Sequence, residues 1–151
     1  MGEVIVKVRA LQLAHMDLIT GIISVSCNGE WFPETNWRDF PVRLLGTWIN
    51  EIVSAFDQGA SNIQLMFMDG PYYIDLTHIA GMTWGLQFCE RRKNSICREP
   101  PVTIDLVELG KETIRAGREV IEYCRGAGWD TQDITFLKRI IDRARGCSSE
   151  S

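Results

Sequence analysis

The chain has no apolar run long enough to cross a membrane, no low-complexity segment and no excess of positive charge. Its two histidines, His15 and His78, stand far apart, and its five cysteines, Cys27, Cys89, Cys97, Cys124 and Cys147, include no CxxC pairing. Zinc sites draw on clustered cysteine and histidine, and small disulfide frameworks on an even set of cysteines, so neither is expected. No metal and no cofactor is expected. A glycine-rich phosphate loop, a GxSxG elbow and an HExxH helix are all missing, which removes the commonest enzyme signatures. The net charge of −4 has the wrong sign for a nucleic-acid binder, which needs a basic stripe against the phosphates, but weakly suits a basic protein partner. Met1 to Arg9 has an early acid and charges inside its apolar run, unlike a secretory signal, so cytoplasmic residence is expected.

What is present is average globular composition, with 45% hydrophobic and 24% charged residues in 151. That length buries roughly 70% of the unfolded chain's surface without help from metal or disulfide. One domain over residues 1–151 is expected, frayed from about Gly146.

Val4, Val6 and Val8 alternate with Ile5, Lys7 and Arg9, and Gly21, Ile23, Val25 and Cys27 alternate with Ile22, Ser24 and Ser26. These read as two strands. Asn28-Gly29 signals a turn, and Glu30 to Asn36 reads as a loop carrying Trp31 and Pro33. From Pro41, the residues Val42, Leu44, Leu45, Trp48, Ile49, Ile52, Val53 and Phe56 fill one half of a helical wheel. Asp39 is placed to cap the first turn, and Pro41 to start it.

Ile63, Leu65 and Phe67, then Tyr72, Ile74 and Leu76, then Met82, Trp84, Leu86 and Phe88 form three more alternating runs, the first two separated by the hairpin signal Asp69-Gly70. Glu90 to Pro101 reads as a polar, mobile loop with a basic cluster. A helix capped by Thr103 buries Leu106, Leu109, Thr113, Ala116, Val120 and Tyr123, with Gly110 and Gly117 on its apolar face implying close approach of a neighbour. A last helix begins at Trp129 to Asp133 and buries Ile134, Leu137, Ile140, Ile141 and Ala144. The expected architecture is α+β: an antiparallel sheet of about five strands with helices packed on it, in the order ββαβββαα.

An enzyme would rest on Cys27 or Cys89 as nucleophile with His78 as base. Both cysteines sit where a small apolar residue fills a sheet face, and His78 reads as a strand-end residue. The acid pairs Glu30 with Glu34 and Asp69 with Asp75 read as solvated loop acids. Trp48 and Trp84 read as core. Trp31, Trp37 and Trp129 flank helix starts as staples, with Trp31 a candidate for partial exposure.

The segment Trp37-x-Asp39-Phe40-Pro41-Val42-x-Leu44-Leu45-x-x-Trp48, followed by Phe67-x-Asp69-Gly70-Pro71-Tyr72-x-Ile74 and two amphipathic helices, resembles small immunity proteins of bacterial polymorphic toxin systems. These include contact-dependent inhibition, Rhs and type VI secretion systems. The resemblance implies a cytoplasmic protein that binds one cognate toxin domain and blocks it, with no chemistry of its own. It assigns no binding residues. On physical grounds the candidate interface is Glu30, Trp31 and Glu34 on the first loop, with Asp69, Tyr72, Tyr73 and Asp75 on the hairpin: aromatic anchors and acids facing a basic partner. The rival readings are a small cysteine-dependent enzyme and a secretion adaptor or chaperone. Oligomeric state is not legible in the sequence.

Overall fold

The alternating valines and isoleucines at the start of the chain produce one long antiparallel hairpin. In it β1 (Val4–Leu13) pairs with β2 (Ile19–Cys27), from Val4 opposite Cys27 to Leu13 opposite Ile19. The register shifts between Arg9 and Gln12, where Ala10 takes φ 55°. This computed structural model describes residues 1–149, with side chains described as far as Gly146. Asn28 and Gly29 both have positive φ, 52° and 83°, which is the backbone twist that lets a two-residue turn continue into a paired strand. Glu30–Phe32, expected in a loop, is therefore a strand, β3, paired to β2 with Cys27 opposite Glu30. A two-residue strand, β4 (Arg38–Asp39), pairs to β2 further along.

The second sheet is the expected meander, enlarged. Strands β5 (Asn62–Met66), β6 (Tyr72–Ala80) and β7 (Thr83–Arg91) pair in order, and both β8 (Ser95–Cys97) and β9 (Val102–Asp105) then pair to β7. The fold is α+β, as expected, but with two antiparallel sheets of four and five strands in place of one of about five. The strands that went unread are two to four residues long, too short to show a period of two. The sheets meet where the Gly2 amide donates to the Thr103 carbonyl at 2.7 Å.

Three helices follow the expected pattern of burial. The first, α1 (Pro41–Gln58), packs against both other helices, α2 (Leu106–Ala127) and α3 (Gln132–Ser149), and against β2 and β5. Leu45 and Trp48 are wholly buried in α1, and the Trp48 indole N–H donates to the Met66 carbonyl at 2.9 Å. Phe56, placed on the apolar half of the wheel, is exposed near the end of α1, and Tyr123 is likewise exposed near the end of α2.

Gly46 sets the crossing of α1 with α3: a Cβ there would lie 2.7 Å from Cδ1 of Phe136. Gly117 does the same for α2, where a Cβ would lie 3.0 Å from Cδ1 of Ile141, as its place on the apolar face implied. The cap of α2 is Asp105, which accepts from the amides of Val107 and Glu108 at 2.8 and 3.2 Å; Thr103, the expected cap, lies in β9. The five α3 residues read as core are all buried. The expected fraying from about Gly146 falls on the end of α3, and residues 150 and 151 lie outside the described residues.

Candidate protein-binding face

Asp39 joins the two segments singled out in the sequence. It is 3% exposed, and its carboxylate accepts from the Trp37 indole N–H at 3.1 Å, the Asp69 amide at 3.0 Å and the Phe40 amide at 2.8 Å. It was expected to cap α1. Instead, sitting in β4, it clamps the Asp69-Gly70 turn against the loop that ends at Trp37, and α1 starts with Pro41 and no side-chain cap. A buried carboxylate with three donors has its acceptor oxygens satisfied where water is excluded.

Aromatic packing extends the joint. The Trp37 and Tyr72 rings meet edge to face at 5.1 Å, and Phe32 meets Tyr72 at 5.6 Å and Phe67 at 5.8 Å. Phe32 also stacks on Phe88, with centroids 4.5 Å apart and planes 6° from parallel. Gly70, at φ 73°, brings the turn backbone onto the Trp37 ring. The loop and the hairpin, some thirty residues apart in sequence, are thus a single rigid face.

The seven candidate residues do not share that face. Trp31 is half-buried, in agreement with partial exposure, and Glu34 and Asp69 are exposed. Glu30 is exposed and ion-paired with Arg98. Tyr72 is half-buried and spends its ring on Phe32 and Trp37. Tyr73 must be removed from the candidates: on the face of β6 opposite Tyr72 and the core it is still only 3% exposed, covered by the Arg91 guanidinium 5.0 Å from its ring and by Cys97, whose sulfur lies 3.9 Å from its hydroxyl. Asp75 accepts from Asn62 at 3.1 Å and Thr77 at 3.2 Å, so it supports the sheet rather than standing free.

Arg98 is the residue that the sequence reading missed. Its guanidinium lies 5.2 Å over the Phe32 ring and 5.7 Å over Phe88 while pairing with Glu30, so it straps the edge of the face. Nothing local in the sequence marks it. The strap is held by a second unexpected feature, a disulfide between Cys89 and Cys97. The odd cysteine count hid this pair, and the supposed mobile loop from Glu90 is in fact the β7–β8 hairpin, with Cys89 directly opposite Cys97.

The postulated thiol–imidazole pairs are not brought together. His78 stands opposite Trp84 and its Nε2 lies 2.9 Å from the Gly81 carbonyl oxygen. Cys89 is five residues further along the same strand, roughly 16 Å at strand rise. Cys27 lies in the other sheet, where burial, and then the nearby charge of Glu30, push its thiol up. The Cys124 thiol is also raised by burial, against a small opposing effect of Lys138. Among the described residues, no group of three or more His, Cys, Asp or Glu could hold a metal ion, and no helix is long and apolar enough to cross a membrane. No protein-family profile matches this chain, and no curated protein or solved structure matches it either.

Proposed function

We propose that this chain is a stoichiometric binding protein that covers a basic protein domain, as an immunity protein covers its cognate toxin. The observation that carries this reading is the Asp39 clamp. It joins two distant segments into one surface edged by Trp37 and Tyr72, on which Asp69 is exposed, with the exposed Glu34 and the half-buried Trp31 on the adjoining segment. Preorganised aromatic anchors with acidic surroundings favour protein association, since little side-chain entropy is lost and opposite charge steers encounter. The partner class is a protein with a basic active surface, and the mode is occlusion.

The test is co-expression with the product of the gene immediately upstream. Co-purification as a fixed-ratio complex together with rescue of growth supports the proposal; loss of both defeats it. An adaptor or chaperone would bind and leave toxicity intact, so growth rescue separates that role from inhibition.

A further inference from the structure

We infer that Cys89 and Cys97 form a redox switch that controls the Arg98 strap. The β8 strand is tied to β7 by three residue pairs, and Ser95 and Ile96 within it are exposed. Beyond them the Arg98 amide donates to the Phe88 carbonyl at 2.9 Å. So short and exposed a ladder has low local stability of its own. The disulfide adds the one covalent tie to this ladder, beside the Gln87 amide that donates to the Arg98 carbonyl at 3.3 Å and to Glu99 at 3.0 Å, and Arg98 follows Cys97 directly. Its guanidinium covers Phe32 and Phe88 and neutralises Glu30.

The two sulfurs are unequal in access. Cys89 is 1% exposed, whereas Cys97 is half-buried, next to the Tyr73 hydroxyl at 3.9 Å. A low-molecular-weight thiolate therefore attacks the Cys97 sulfur, forming a mixed disulfide and releasing Cys89 as the leaving thiolate. A second thiol resolves the mixed disulfide. In the balance, the Cys89–Cys97 bond takes up two electrons and two protons, and two small thiols become one small disulfide. Once the pair is reduced, β8 opens, the strap lifts, and the Phe32 and Phe88 rings and the Glu30 carboxylate are uncovered. The rest of the second sheet does not depend on the bond, since β5, β6 and β9 pair without it. The switch stands apart from the binding proposal: its direct readouts need no partner.

The experiment equilibrates the purified protein in glutathione buffers stepped from oxidised to reduced, with thiol alkylation mapped by mass and amide hydrogen exchange measured in parallel. On reduction, Cys89 and Cys97 gain label together, exchange at Ile96 and Arg98 speeds up by at least about tenfold, and exchange in β6 stays as it was. Cys97→Ser, at the more accessible position, gives the fast exchange in every buffer. Arg98→Ala keeps the disulfide and its redox response but removes the ring cover. The inference is overturned if Arg98 exchanges at one rate in both states, or if the pair cannot be reduced without unfolding β6 as well, which would make the bond a fixed structural staple.

Discussion

Glu112 accepts the backbone N–H of Val6 at 2.8 Å, and its ion-pair partner Arg115 donates to the Val6 carbonyl at 2.9 Å. One helical ion pair thus satisfies both outward groups of a residue in the edge strand β1. An open edge invites pairing with another chain, and here α2 plugs it at one position. Burial acts to raise the Glu112 carboxyl, but the hydrogen bonds from Arg115 and Val6 and the charge of Arg115 together hold it below the usual carboxylate range. Arg115 in turn is held above its ordinary range by its bonds and charge contact with Glu112, with Glu119 adding to both.

A lowered folded-state value means that the stabilisation from Glu112 is fully present above its unfolded value and is lost as pH falls through the folded one. Stability of the wild type should therefore drop from about pH 4.5 downward more steeply than that of Glu112→Gln. Urea titrations at stepped pH check the slope. At pH 7, Glu112→Ala should cost about 2 kcal/mol, since it also strips the Val6 amide of its partner. Equal acid slopes in the two proteins would show that the contact contributes nothing.

Asp39→Ala should be the most damaging single change on the candidate face, at about 2 kcal/mol, because it takes the acceptor from three partly buried donors at once. Asp39→Asn keeps one acceptor oxygen and should cost less. The specific signature is local: the Trp37 indole N–H resonance should move and amide exchange at Asp69 should accelerate, while α3 stays protected. A uniform loss of protection would mean that the clamp is ordinary core, with no special hold on the hairpin.

Gly46→Val should destabilise by about 2 kcal/mol or more through contact with Phe136, and Gly46→Ala by less, because higher helix propensity offsets part of the clash. Truncating Phe136 to Leu in the same chain should recover part of the loss. A double-mutant cycle with no coupling would place the strain elsewhere.

How much of this was legible can be argued from the same residues. The faces of α1 and α3 followed from spacing because a helix of eighteen residues repeats its pattern five times, and tertiary packing agrees with it. Asp39 was singled out, yet its role was misassigned. A carboxylate two residues before a proline looks like a cap, and only the path of β4 along β2 turns it toward the Asp69 amide. Tyr73 was misplaced for a different reason: Tyr72 shares the core face of β6 with Ile74 and Leu76, and Tyr73, on the opposite face, is covered by the Arg91 guanidinium, which no local pattern places there. Arg98 and the Cys89–Cys97 pair were invisible because they depend on the register of a three-residue strand.

The buried thiols give a prediction that weighs the enzyme alternative. Iodoacetamide at neutral pH should label Cys27 and Cys124 at least about tenfold more slowly in the folded protein than in denaturant, since burial pushes both thiols up and alkylation needs a thiolate. Peptide mapping resolves the sites. One fast-reacting Cys27 would revive a nucleophilic role.

Charge reversal tests the binding face most directly. Glu34 and Asp69 are exposed, and among the described residues neither side chain makes a hydrogen bond or ion pair, so Glu34→Lys with Asp69→Lys should leave the melting temperature within a few degrees of the wild type. Toward a basic partner, the double change should slow association by about tenfold at low ionic strength, with the difference shrinking as salt is raised past a Debye length of about 8 Å. Trp31→Ala should act differently, speeding dissociation with little dependence on salt, because an anchor ring contributes through burial and not through steering. Surface-binding kinetics across a salt series separate the two effects. Unchanged association in the double variant would move the interface away from the loop and the hairpin.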